Sequence, residues 1–212
     1  MTSASTRPEL EFWYEFASTY SYLAAMRIEG LAEAAGIAVR WRPFLLGPIF
    51  AQQGWNTSPF NLYPAKGRHM WRDMERETQA LGLPLTRPSP FPQNSLFAAR
   101  IALVGQDSWG PAYTRALYRA AFGEGRSIVE ADVMRAALAE AGQDADDIFV
   151  QAQTEETKAA LRTQNEAAIA HGIFGAPSFV APDGELFWGN DRLERALSWT
   201  QEAASRVSAN IR

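Results

Sequence analysis

The strongest constraint on this chain is its order of hydrophobic periods, which runs two, then helical, then two again, within its first 43 residues. Leu10 to Ala17 alternates, with Leu10, Phe12, Tyr14 and Phe16 on one face and Glu11, Trp13 and Glu15 on the other, the pattern of a strand. From Thr19 to Gly36 apolar and small residues recur at three- and four-residue steps (Leu23, Met26, Arg27, Gly30, Leu31, Ala34), and Gly36 suits a helix C-terminus. Ile37 to Arg42 alternates again until Pro43. A crossover of that length predicts a parallel, right-handed βαβ unit.

The middle of the chain reads differently. Residues 44–64 form a Gly/Pro/aromatic connection without helical period, and a connection that long is usually functional. Helical patterns follow: Lys66 to Leu81 (Met70, Met74, Thr78 and Leu81 inward; Arg68, Arg72 and Arg76 on a solvated face), Asn94 to Val104 and Pro111 to Ala121. A fourth opens on the capping-box pattern Ser127-Ile128-Val129-Glu130 and ends at Gly142, and a fifth runs from Asp144 to Ala170. The last segment returns to β-structure. Ala176 to Ala181 and Glu185 to Trp188 flank the turn Pro182-Asp183-Gly184, and Gly189 to Arg192 caps a closing helix with Leu193, Ala196, Leu197 and Ala204 inward. This order predicts an α/β fold: a thioredoxin-like domain (residues 9–64 and 172–208) with an inserted all-helical domain (65–171).

Composition narrows the chemistry. The 212 residues include no cysteine, which excludes disulfides, thiolate metal sites and a cysteine nucleophile. A net charge of −4 argues against a nucleic-acid footprint, and no apolar run is long enough for a membrane span. Met1 to Pro8 lacks the apolar core of a secretory signal and reads as a short disordered leader, so a soluble cytoplasmic protein is expected. His69 and His171 stand apart, without the neighbours of a metal site. Of the aromatic residues Trp55, Phe60, Tyr63, Trp71, Phe91 and Trp188, the three in the long connection are the better pocket candidates, and the others read as core.

Two places carry candidate chemistry. The turn Glu15 to Tyr22 lies at the carboxyl end of the first strand, where open α/β sheets place ligands, and free amides at the helix start favour an anion there. Ser18-x-x-Ser21 stands where a redox thioredoxin carries Cys-x-x-Cys, so a hydroxyl could donate to a thiolate brought from outside. Ser18 or Thr19 also reads simply as an N-cap. The second place is Gly175-Ala176-Pro177-Ser178, where Pro177 is an ordinary strand start or a cis proline facing Ser18. In the latter arrangement Ala176 would offer its backbone to an extended peptide.

Six blocks in this order, Ser18 to Ala24, Leu45 to Phe50, Pro64 to Arg68, Phe91 to Asn94, Phe174 to Val180 and Phe187 to Leu193, resemble the 2-hydroxychromene-2-carboxylate isomerase family. That family is kin to kappa-class glutathione transferases and, more distantly, to DsbA-type oxidants. The resemblance runs from about Leu10 to Ser205. It implies a glutathione-dependent isomerase acting on a small conjugated aromatic carbonyl compound, and a homodimer. Ser18 would stabilise the glutathione thiolate, with Thr19 and Tyr20 beside it. Ala176 and Pro177 would pair with the cysteinyl main chain, Asn190 and Asp191 with the γ-glutamyl end, Asn56 with the glycyl end, and Lys66 and Arg192 with carboxylates. Two residues depart from the family pattern: Thr19 follows the serine where a proline is usual, and Glu15 ends the strand where an aspartate is common. A kappa-like transferase, or a non-catalytic peptide-binding module using the Ala176–Pro177 edge, are the alternatives.

Overall fold

The computed structural model describes residues 7–210, with side chains to residue 205; the expected leader lies, up to Thr6, outside the described residues. The chain opens β1 (Glu9–Tyr14), α1 (Thr19–Ala34), β2 (Ala38–Pro43). Short helices α2 (Leu46–Gln52) and α3 (Pro59–Leu62) lead into α4 (Pro64–Leu81). Then come α5 (Leu96–Val104), α6 (Gly110–Tyr118), a π-helical turn over Arg119–Gly123, α7 (Ala131–Glu140), α8 (Ala145–Ala152) and α9 (Glu155–Ala170). Finally β3 (Ser178–Val180) and β4 (Leu186–Trp188) precede a 3-10 turn (Asn190–Arg192) and α10 (Leu193–Asn210).

The sheet order is β2-β1-β3-β4. β1 and β2 are parallel, with Phe12 opposite Trp41, and β3 joins the other side of β1 antiparallel, with Phe12 opposite Phe179. β1 is therefore an inner strand covered on both faces. Leu10, Phe12, Tyr14 and Phe16 enter the larger core cluster, while Trp13 packs with Phe44, Ile49, Ala168, Ile173 and Val180 beneath the other face. The alternation read from the sequence is real, and both of its faces are needed for packing.

An aromatic ladder ties the strand to the helices that follow in the chain. Phe12 stacks on Phe179 at 5.6 Å, Tyr14 meets Phe16 edge-on at 5.5 Å, and Phe16 packs on Tyr118 at 5.3 Å. Such pairs add ~0.5–1.5 kcal/mol each beyond their area. The two phenols in the ladder are satisfied: the Tyr14 and Thr114 hydroxyls are hydrogen-bonded at 2.9 Å, and Tyr118 Oη donates to the Glu15 carbonyl at 2.8 Å. One contiguous core thus includes residues of β1, α1, α5, α6 and α7.

Several expected elements differ in detail. The 44–64 connection is not purely irregular. α2 and α3 form there, too short for a period to declare itself, and Pro59 at the first turn of α3 follows Ser58, whose hydroxyl accepts from the Phe60 amide. The single helix expected over Asp144 to Ala170 is two. Thr154 ends the first and caps the second, donating to the Gln151 carbonyl at 2.8 Å and accepting from the Thr157 amide at 3.2 Å. Ser127 makes no cap for α7, whose N-cap position is Glu130. The buried face of α1 runs through Ser21, Ala24, Ala25, Ile28 and Ala32, rotated from the stripe expected through Gly30 and Ala34, which are exposed. Leu81 is exposed, and on α10 it is Ala203, not Ala204, that is buried.

The helical segment also braces the connection. Asn165 on α9, itself buried, accepts from the Leu45 amide at 3.1 Å and donates to the Leu45 carbonyl at 2.8 Å. Gln164 next to it donates to the Pro43 carbonyl at 2.5 Å. Asn165→Ala should cost about 1–3 kcal/mol, because both backbone groups of Leu45 lose their partner. Chemical denaturation reads this directly; a loss within ~0.5 kcal/mol, typical of a surface change, would show that the clamp carries nothing.

Candidate active site

Because β3 pairs antiparallel to β1, the segment entering β3 comes alongside the turn leaving β1. Ser18 sits in that turn as the N-cap of α1 (φ −84°, ψ 117°). Its Oγ accepts from the Ser21 amide at 3.2 Å and donates to the Ala176 carbonyl at 2.9 Å. The Ala176–Pro177 peptide is cis. The hydroxyl that caps α1 is therefore the same one that reaches the Ala176 carbonyl. The amides of Thr19 and Tyr20 stand in the first turn, ahead of any intrahelical acceptor.

These residues line a cavity of 1440 Å³ at the carboxyl end of β1. Ser18, Thr19, Tyr20, Asn56, Lys66, Ala176, Asn190, Asp191 and Arg192 all face it, whereas Pro177 is buried behind the wall. Several of these side chains already have partners. Thr19 is buried and its hydroxyl donates to Met70 Sδ at 3.2 Å. Tyr20 donates to Asp73 Oδ2 at 2.9 Å; partial burial first, and then the Asp73 carboxylate, push this phenol well above its ordinary range and keep it a neutral donor. Asn190 Oδ1 accepts from Arg27 Nε at 3.2 Å, and the Arg27 guanidinium continues to Glu194 at 2.8 Å, so this asparagine anchors the 3-10 turn to α1. Asp191 and Arg192 are exposed and lie within 2.8 Å of one another. Lys66 is exposed, with Nζ 4.7 Å above the Tyr63 ring.

The aromatic expectations divide. Trp55 and Phe60 line the cavity, but Tyr63 does not. Phe91 and Trp188, read as core, also line it, and Trp188 is 53% exposed, stacked edge-on with Phe174 at 4.9 Å. A Cβ on Gly175 would lie 2.4 Å from the Trp188 indole nitrogen, so only glycine lets this pair close over the chain ahead of Ala176. Gly189 likewise turns with φ 110°, a conformation that glycine alone adopts readily, and delivers the 3-10 turn to the cavity.

The lining residues Glu15 and Ser95, which pair with each other, were not among the site residues expected from the sequence. Glu15 is only 5% exposed. Its Oε2 accepts from the Ala17 amide at 2.9 Å, and its Oε1 accepts from Ser95 Oγ at the start of α5. Among the described residues no basic side chain pairs with it. Burial pushes its carboxyl from the usual 4.5 up to about 7, against the lowering effect of the Ser95 and Ala17 donors. The sequence marked Glu15 only as a departure from a common aspartate, and Ser95 carried no signal, since its partner lies far away in the chain. No three His, Asp or Glu among the described residues are grouped to hold a metal ion, and no helix among them is long and apolar enough to cross a membrane.

Comparison with known proteins agrees with the fold. Residues 9–199 match the DsbA-like thioredoxin domain model. A 2-hydroxychromene-2-carboxylate isomerase of Sphingobium xenophagum is 30% identical over 87% of this chain and 94% of its own. Glutathione S-transferase kappa 1 of Homo sapiens is 28% identical over 87% of both chains. A solved structure of a 2-hydroxychromene-2-carboxylate isomerase, 26% identical, superposes with a TM-score of 0.82 over 96% of this chain and 99% of that one. The chain belongs to the DsbA-like thioredoxin family and, within it, to the 2-hydroxychromene-2-carboxylate isomerase family.

The buried carboxyl makes stability depend on pH. Between its unfolded value of 4.5 and its folded value of about 7 the native state holds a proton that the unfolded chain has released. Stability from this group is therefore complete below pH 4.5 and declines as pH rises to about 7, by on the order of 3 kcal/mol. Glu15→Gln keeps an acceptor for Ala17 and cannot ionise, so its urea-unfolding free energy should fall less over this window. Equal slopes for the two proteins would contradict the burial effect.

Proposed function

We propose that this chain is a glutathione-dependent isomerase of the 2-hydroxychromene-2-carboxylate type, acting on a conjugated aromatic carbonyl compound. The observation that carries the reading is the Ser18 hydroxyl at the amino end of α1, bonded to the Ala176 carbonyl beside a cis proline, inside one large cavity. Relatives named for this isomerase and for a glutathione transferase support it. With no cysteine of its own, the chain needs a thiol brought in.

The donor set suits that tripeptide. Asp191 matches an ammonium, and Arg192 and Lys66 match carboxylates, at the cavity wall. Asn56 would serve the glycyl end and Asn190 the γ-glutamyl end. Ala176 would pair its backbone with the cysteinyl main chain. With the cysteinyl amide on the Ala176 carbonyl, the Ser18 hydroxyl, which donates to that carbonyl here, would be free to donate a hydrogen bond to the sulfur. A thiol of pKa ~8.5 is lowered toward neutrality by a helix N-terminus and a hydroxyl donor. Bound glutathione supplies the thiolate that adds reversibly to the conjugated double bond, lets it rotate, and leaves again. Trp55, Phe60 and Phe91 offer apolar wall for a flat ring, and at 1440 Å³ the cavity exceeds the ~300–1,000 Å³ of a single small-ligand pocket.

The relative that is a kappa transferase favours one second reading, in which the same thiolate addition or displacement yields a stable conjugate. A cytoplasmic setting, where the glutathione pool is reduced, and a homodimer belong to the same proposal. Titration calorimetry with glutathione should give saturable binding; none at millimolar concentration would favour a peptide-binding module. Isomerisation of the chromene carboxylate, assayed beside conjugation of an electrophilic aromatic, separates isomerase from transferase. Ser18→Ala should lower kcat/KM by about 10- to 100-fold, the worth of one hydrogen bond to a charged group, and shift the thiol ionisation limb to higher pH. An unmoved limb would reject the role of Ser18.

A further inference from the structure

Glu15 is an anomaly of this site: a carboxyl buried in a ligand cavity, held by two hydrogen-bond donors, with no cation paired to it among the described residues. Burying such a group is costly, and native folds usually avoid it unless it is paired or works as a titrating group. Its surroundings are built for two protonation states. In one, Ser95 Oγ donates to Oε1 and the Ala17 amide donates to Oε2. In the other, Oε1 carries the proton and donates it to Ser95 Oγ, while Ala17 still holds Oε2, and the serine proton is freed to turn into the cavity that both residues line.

We propose that Ser95 and Glu15 are the proton relay of this site, Ser95 exchanging a proton with the oxygen of the bound carbonyl substrate and Glu15 resupplying it through Ser95. The inference rests on the isomerase reading above. As the C–S bond forms, the π pair of the conjugated double bond moves onto the carbonyl. The resulting enolate oxygen takes the Ser95 proton, and Ser95 Oγ takes the proton of Glu15, leaving a carboxylate. After rotation the transfers reverse: the oxygen returns its proton through Ser95 to Glu15, the double bond re-forms, and the C–S bond breaks with its electrons on sulfur. No proton is gained or lost. Ser95 is the catalytic residue of the pair and Glu15 is a positioning residue that acts through it.

A carboxyl near neutrality suits this exchange. The titratable groups around Glu15 leave its role clear. Tyr118 of α6 donates to the Glu15 carbonyl, and burial keeps both Tyr118 and Tyr14 far above neutrality. Elsewhere on the cavity wall Asp73, Glu77 and Lys66 stand on α4, and Asp191 and Arg192 on the 3-10 turn, none of them ion-paired to Glu15.

The test combines kcat–pH profiles at saturating glutathione with titration of the glutamate carboxyls by carbon NMR in glutathione-free protein. The wild type should lose kcat as pH rises through the Glu15 midpoint near 7. Ser95→Ala and Glu15→Gln should each lower kcat by at least about 100-fold, abolish that descending limb and leave the glutathione Kd unchanged, while Ser95→Thr restores activity. In Ser95→Ala, with one donor removed, the Glu15 carboxyl should titrate higher than in the wild type; an unmoved midpoint overturns the relay. If Glu15→Gln does not fold, Ser95→Ala decides alone. An active wild type whose foldable variants keep kcat within a few-fold overturns the relay and spares the isomerase reading. A wild type that isomerises nothing overturns that reading and the relay with it.

Discussion

The structure depends on the two-sided pairing of β1. Parallel pairing with β2 on one side and antiparallel pairing with β3 on the other leave the ends of β1 no freedom to wander. The chain leaving β1 at Tyr14 and the chain entering β3 at Ser178 are thereby set side by side, which is why the Ser18 hydroxyl reaches the Ala176 carbonyl. A hydrogen bond between residues so far apart in sequence would not form alone, since closing that loop costs more entropy than one such bond returns. The sheet and the aromatic ladder beneath it meet that cost.

The helices between β2 and β3 shape the cavity as well as the core. Tyr118 grips the carbonyl of Glu15, Ser95 grips its carboxyl, and Asn165 and Gln164 hold the backbone at Leu45 and Pro43. The turn that carries Ser18 is thus held from several elements. A rigid frame of this kind suits the role proposed for the Ser18 hydroxyl, because a loosely held donor loses most of its advantage. The cavity wall contributed by α2 and α3 is more open, with Asn56 exposed there.

Much of the fold was legible before any coordinates. Phe12 and Tyr14 alternate against Glu11 because a strand has period two, and Pro182-Asp183-Gly184 leaves the chain little option but to turn. Ser18 and Asn190 were legible as candidates through motif order. What escaped was short or distant. α2 and α3 have too few residues for helical periodicity to stand out, and Thr154 looks like an ordinary mid-helix threonine until its hydroxyl is seen to serve two backbone groups. Trp188, assigned to the core for its strand position, is exposed because β4 is an edge strand and Gly175 lets the indole fold over the chain beside it.

By itself the sequence determined the opening strand-helix-strand order and the closing hairpin and helix, the thioredoxin-like class, the absence of a resident thiol and the serine that opens α1. These are properties of local period, turn chemistry and composition, and each can be read within a short window. Tertiary structure alone decided the partners of the polar atoms. Glu15 reads in the sequence as one more outward member of an alternating run, yet it lies just past β1, buried against Ser95 with its ionisation moved toward neutrality. The reason is physical: a carboxyl's proton affinity is set by how much water and which donors surround it, and those surroundings come from elements that meet only when the chain has folded.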